Sequence, residues 1–190
     1  MPRPNWFFAF PVDGRFVLEL PELPTALRRF HPEDVHLTLA FLGGCGEEAA
    51  ERALAVLDRE LARAPVSRLA VSLGEVVPMG GSQRLYTALS ALLEEGRAEA
   101  SRCLGELGGL LCETALGRRP SRAPKPHVTL ARPRRRAGDT ERAAGLAWAS
   151  SVRLGGVRQE LDRVALYTWA EVRKERLFRI VAERPLASPR

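Results

Sequence analysis

Two pentads, His36-Leu37-Thr38-Leu39-Ala40 and His127-Val128-Thr129-Leu130-Ala131, use two of the chain's 3 histidines in nearly identical settings. In extended backbone successive side chains point to opposite faces, so each His shares a face with its Thr while Leu37, Leu39, Val128 and Leu130 face a core. A strand repeated so far along the chain predicts a duplicated lobe, with the two copies meeting across a groove. Two imidazoles and two hydroxyls would converge there.

Imidazole titrates near neutrality, so one ring can stand neutral as a base and the other protonated as an acid. That pairing suits in-line displacement at phosphorus, where the attacking and leaving oxygens lie on opposite sides of the atom. The Thr hydroxyls can donate to the non-bridging oxygens, whose charge grows in the transition state. The plainer alternative is two strands whose histidines are hydrogen-bonded in a core, and repetition of both His and Thr argues against it.

At 190 residues and 45% hydrophobic content, the chain can bury one substantial core, and disorder over most of its length is excluded. We expect a single bilobal domain over residues 1–190. No apolar run approaches the length of a membrane span, and no basic segment leads into a long apolar stretch at the N-terminus, so the expectation is a cytoplasmic protein. Cys45, Cys103 and Cys112 are odd in number and form no CxxC pair, which argues against a disulfide framework and a cysteine zinc site. The net charge of +6 favours an anionic partner.

The pattern along the chain predicts strands over 5–10 and 34–42, the second ending at Gly43-Gly44. A short helical pattern lies around Leu23 to Phe30. Ala50, Ala53, Leu54, Leu57 and Leu61 follow helical spacing and predict a helix over 47–64. Strands over 67–77 and 84–89 would be joined through Pro78-Met79-Gly80-Gly81. A long helix over 92–116 is weakened in its middle by Gly105, Gly108 and Gly109. After the second motif come a short helix over 140–149 and strands over 161–169 and 177–181. The fold class is therefore α+β, with two similar lobes of antiparallel sheet and packed helices around a central groove.

These segments resemble the 2H phosphoesterase superfamily, and within it the RNA 2′,3′-cyclic phosphodiesterases, also called 2′-5′ RNA ligases. Phe7-Phe8-Ala9-Phe10 is similar to the family's first strand, Pro32 to Leu39 to its first HxT motif, and Pro126 to Arg132 to its second. Gly74 to Pro78 with Arg84-Leu85-Tyr86 resembles the hairpin between the motifs. The resemblance implies a bilobal fold and a metal-independent, cofactor-free reaction that opens a 2′,3′-cyclic phosphate to a 2′-phosphate. It implies His36 and His127 as the catalytic pair, with Thr38, Thr129 and Arg132 binding substrate. It also implies that His127 activates water while His36 protonates the departing 3′ oxygen, although the residues alone leave the reverse assignment open. Leu177-Phe178 stands where the family often carries a tyrosine.

Around the second motif, Arg118, Arg119, Arg122, Lys125, Arg132, Arg134, Arg135 and Arg136 form a basic stretch without an acidic residue. It can guide an RNA backbone through phosphate contacts, or be a solvated loop. His31 could complete a three-histidine metal site, but no acidic or cysteine ligand stands at a telling interval, so no metal is expected. Tyr86, Trp148, Tyr167 and Trp169 are candidates to stack on a base or simply to pack. The expected partner is RNA ending in a 2′,3′-cyclic phosphate, tRNA fragments among the candidates, acted on by a monomer. The alternatives are a phosphodiesterase acting on small cyclic nucleotides or 2′-5′ oligonucleotides, and a non-catalytic RNA-binding module.

Overall fold

The computed structural model describes residues 3–81 and 85–188. Nine strands form one antiparallel sheet: β1 Trp6–Pro11, β2 Leu27–Arg29, β3 His36–Gly43, β4 Leu69–Met79, β5 Ala88–Leu93, β6 His127–Pro133, β7 Arg158–Leu161, β8 Arg163–Trp169 and β9 Phe178–Pro185. Their order is β7-β4-β5-β6-β3-β1-β8-β9, with β2 laid beside β6. The path divides at its middle, where β3 and β6 share the pair Leu37↔Val128. On either side stand four strands, β3-β1-β8-β9 and β6-β5-β4-β7, so each lobe is headed by one motif strand. Asp162 alone separates β7 at one end of the path from β8 in the other lobe, so the sheet curls round on itself.

The helices lie behind this curl. Helix α1, Glu47–Arg63, matches its predicted span, with Glu47 and Glu48 in the first turn and Arg63 in the last, as the helix dipole favours. It packs on α3, Gly109–Leu116, and both cover the β1/β3 lobe. Helix α4, Asp139–Ser151, covers β4 and β5. Strand β1 is buried on both faces, which explains its unbroken apolar run: Phe8 and Phe10 face the core, while Phe7 and Ala9, on the groove side, are covered as well.

Three expectations are corrected. The pattern around Leu23 to Phe30 is not a helix. Leu27–Arg29 forms β2, held to β6 by Arg28↔Arg132 and its neighbours, and a 3-10 turn occurs earlier, at Gly14–Glu19. The long helix begins at Arg97 rather than at Leu92, because Ala88–Leu93 is a strand inserted between β4 and β6. It is then broken into α2, Arg97–Cys103, and α3 by a π-turn over Leu104–Gly108. Finally, Arg158–Leu161 pairs with β4 as a strand of its own. The predicted strand start at Arg84 lies outside the described residues. No helix among the described residues is long and apolar enough to cross a membrane.

Candidate active site

The pair Leu37↔Val128 fixes how the motifs meet. In an antiparallel pair, one step to either side sets His36 opposite Thr129 and Thr38 opposite His127, all on the face away from the core. The four predicted groups thus meet on one surface.

Each imidazole is held in the same way. Nδ1 of His36 lies 2.7 Å from the Asp34 carbonyl oxygen, and Nδ1 of His127 lies 2.7 Å from that of Lys125, each two residues upstream. A carbonyl only accepts, so Nδ1 of each ring carries the proton and donates it. Nε2 of each neutral ring is left with its lone pair. Each strand begins at its histidine, so the ring folds back over the residues that lead into it.

The surroundings differ between the lobes. His36 is walled by rings: Phe7 at 4.8 Å between centroids, Tyr167 at 5.6 Å and Phe178 edge-on at 5.6 Å. Burial among them pushes its pKa down to about 4; the Asp34 hydrogen bond opposes the shift, and the charges of Arg132 and His127 add to it. The His127 pKa is also lowered, first by burial and then by Lys125 and Arg132, against the hydrogen bond to the Lys125 carbonyl. The expectation of one neutral and one protonated ring is therefore corrected for the free protein. Both rings favour the neutral form, because both are taken out of water beside cations.

The threonines differ as well. Thr129 shares a 3.2 Å hydrogen bond with fully buried Ser90, its partner across β5–β6. Thr38 faces Ala9, which has no hydroxyl to offer. Sequence reasoning passed over Ser90 because the predicted strand ended one residue before it.

Arg132 reaches the site through a β-bulge. Simple alternation would put it on the core face with Val128 and Leu130. The register steps from Ser90↔Thr129 to Leu89↔Ala131, so β6 carries an extra residue there and its facing reverses. Arg132 then joins His127 and Thr129, with its guanidinium carbon 5.1 Å from the centre of the Phe30 ring. Its charge bears on both imidazoles, and the protein around its guanidinium, with Arg173 nearby, lowers its own pKa even though the residue as a whole is open to solvent.

Other candidates serve packing. Tyr86 is buried and its hydroxyl donates to the Arg142 carbonyl, and Trp148 is buried and donates to the Pro21 carbonyl. Tyr167 stacks on Phe7 beside His36, and Arg173 lies 4.1 Å over the Trp169 ring. His31 caps the turn over Pro32–Asp34, its Nδ1 accepting from the Glu33 amide at 3.2 Å. Among the described residues, no group of three or more His, Cys, Asp or Glu could hold a metal ion. Phe7 and Phe178 were not predicted as neighbours of His36. The signal for Phe7 was present, since an aromatic residue on both faces of one strand requires something to cover each face.

No family model and no curated protein matches the sequence. Solved structures do match. The crystal structure of E. coli LigT complexed with ATP superposes with a TM-score of 0.65 at 20% identity, over 99% of this chain and 100% of that one. TT0787 of Thermus thermophilus gives 0.66 at 22% identity, over 98% and 100%. Usb1 of Kluyveromyces marxianus gives 0.54 at 10% identity, over 96% of each chain. LigT has also been crystallised with 3′-AMP and with phosphate. The curled sheet and its flanking helices are thus the fold of these proteins.

Proposed function

We infer that this chain, which has the fold of LigT and Usb1, is a 2H phosphoesterase that opens RNA 2′,3′-cyclic phosphate ends to 2′-phosphates without a metal. The mirrored imidazoles carry this reading. Two rings on facing strands, each donating Nδ1–H to a carbonyl two residues upstream, leave two Nε2 atoms free for one groove. Binding of phosphate alone would need positive charge and not two titrating bases.

In the free protein both rings are neutral at pH 7, and the anionic substrate supplies what the acid lacks. A phosphate between them attracts a proton onto one imidazole and offsets the charge of Arg132. His127 takes a proton from water as its oxygen attacks phosphorus. The bond from phosphorus to the 3′ oxygen breaks, and His36 gives that oxygen its proton. The aromatic wall suits His36 to this role, because a proton held there against burial is readily released.

Charge on the non-bridging oxygens is met by Thr38, Thr129 and Arg132. Ser90 can donate to Thr129, which frees the Thr129 proton for the substrate. This donor set, with the Arg132 guanidinium as its positive charge, stabilises the transition state without a metal ion. Reverse joining of a cyclic phosphate end to a 5′-hydroxyl follows by microscopic reversibility.

The test is a panel of short RNAs and mononucleotides ending in 2′,3′-cyclic phosphate, assayed in excess EDTA with the product identified. A 2′-phosphate is expected. A 3′-phosphate, or loss of turnover that zinc restores, would overturn the reading.

A further inference from the structure

Beyond the groove, β3 has a bulge that matches the one in β6. Its register steps from Ala9↔Thr38 to Phe8↔Ala40, so the strand's facing reverses just past the threonine, and Phe41 pairs with Phe7 on the His36 side. Phe41 therefore occupies in the first lobe the place that Arg132 occupies in the second, five residues beyond the histidine in each motif. Unlike the other rings of this face it is uncovered, with 57% of its surface exposed.

The ring borders a cleft of about 730 Å³ between β3 and the segment that runs from α3 to His127. Leu116 and Cys112 line its apolar side, and Arg118, Arg119 and Arg122 its rim. Glu113 holds Arg119 at 2.8 Å, while Arg118 and Arg122 have no ion pair among the described residues. An open aromatic face bordered by uncompensated guanidiniums matches the chemistry of single-stranded nucleic acid, with base stacking on the ring and phosphates at the rim. With the bulge, Thr38 and Phe41 stand opposite Ala9 and Phe7, about 7 Å apart along the strand, and the lining of the cleft includes neither histidine and neither threonine of the motifs. A base seated in the cleft therefore lies outside the pair of imidazoles that would hold the cyclic phosphate.

Building on the functional reading above, we propose that this cleft is a second nucleotide subsite, which takes an unpaired base of the RNA upstream of its cyclic phosphate end. The site would then prefer single-stranded RNA to a cyclic mononucleotide.

The test compares kcat/KM for adenosine 2′,3′-cyclic phosphate with that for a short single-stranded RNA bearing the same end. Phe41→Ala should lower the RNA value roughly five- to a hundredfold while the mononucleotide value stays within about twofold. Phe41→Trp should keep the preference. Arg118→Ser with Arg122→Ser, on an exposed loop, should lower the RNA value alone and flatten its logarithmic salt slope by roughly 0.7 for each phosphate no longer bound. Equal losses on both substrates, or none on either, would overturn the subsite. Anisotropy of a 5′-labelled single-stranded RNA keeps the two readings apart. If no cyclic phosphate is turned over but binding still depends on Phe41 and the two arginines, the functional reading fails and the subsite stands. Binding indifferent to both sets of changes overturns the subsite.

Discussion

Asp34, 1% exposed, holds three groups at once. Its carboxylate accepts from the amides of Leu177 and Phe178 at 2.8 and 3.1 Å, while its carbonyl orients His36. It thereby fixes both the ring and part of that ring's apolar wall. Asp34→Ala strands two amides and should cost about 2 to 4 kcal/mol in urea unfolding, given the worth of hydrogen bonds to charged groups. An unchanged unfolding midpoint would refute the role. His36 carries a second prediction. Its folded pKa of about 4 lies below the ordinary 6.5, so the unfolded chain takes up the proton first as pH falls. Stability is then full above about pH 6.5 and declines as pH falls toward about 4. His36→Phe should flatten that decline in a series of unfolding curves, with His127 accounting for what remains. A variant with the wild-type slope would show that the burial of His36 carries no such linkage.

At the scale of elements, the glycines of the α2–α3 helix do different jobs. A Cβ on Gly108 would lie 2.3 Å from the carbonyl oxygen of Leu39, inside the β3 bulge, whereas one on Gly105 meets only Pro124 at 3.7 Å. Gly108→Ala should therefore destabilise by about 1 to 3 kcal/mol through overpacking behind the first motif. Gly105→Ala should be neutral or stabilise by up to about 1 kcal/mol through lower backbone entropy in the unfolded chain. Thermal unfolding separates the two, and equal effects would contradict the close approach. The sequence showed these glycines as a weak point in a helix but not what they approach. The bulges were hidden for a related reason. Alternation in His-x-Thr-x-Ala was legible, but an extra residue in a strand appears only in its pairing with β1 or β5, so Arg132 was found by position in a motif and not by facing. β2 was missed because three residues beside Pro24 and Pro32 carry too little pattern to show a strand, and only the edge of β6 makes them one.

Across the whole molecule, the duplicated lobe was readable from the two pentads, and the reading fails only where the lobes differ. Rings surround His36, while His127 pairs with Leu92. The basic stretch divides in a comparable way. Arg134 is structural, its Nε donating to the Thr25 carbonyl and its amide to the Ala26 carbonyl, so it secures the approach to β2. Arg135 lines a cavity of about 330 Å³ with Arg28 and Arg132, and Arg136 follows it on the exposed turn. Changing Arg135 and Arg136 to Ser should weaken long RNA substrates and lower the salt slope by roughly 0.7 for each phosphate released, while sparing cyclic mononucleotides. Equal weakening of both substrates would move these residues into the catalytic groove.

The central claim, that two imidazoles on facing strands divide the work of acid and base, is tested most directly by the pH dependence of kcat/KM on a cyclic phosphate substrate. Because both rings are depressed in the free protein, the account predicts a bell with its maximum on the acid side of neutrality, between about 4 and 6.5. His36→Ala and His127→Ala should each lower the rate roughly a hundredfold to ten-thousandfold, with each removing one limb of the bell. A folded single variant with near-normal turnover, or one that keeps both limbs, would contradict it.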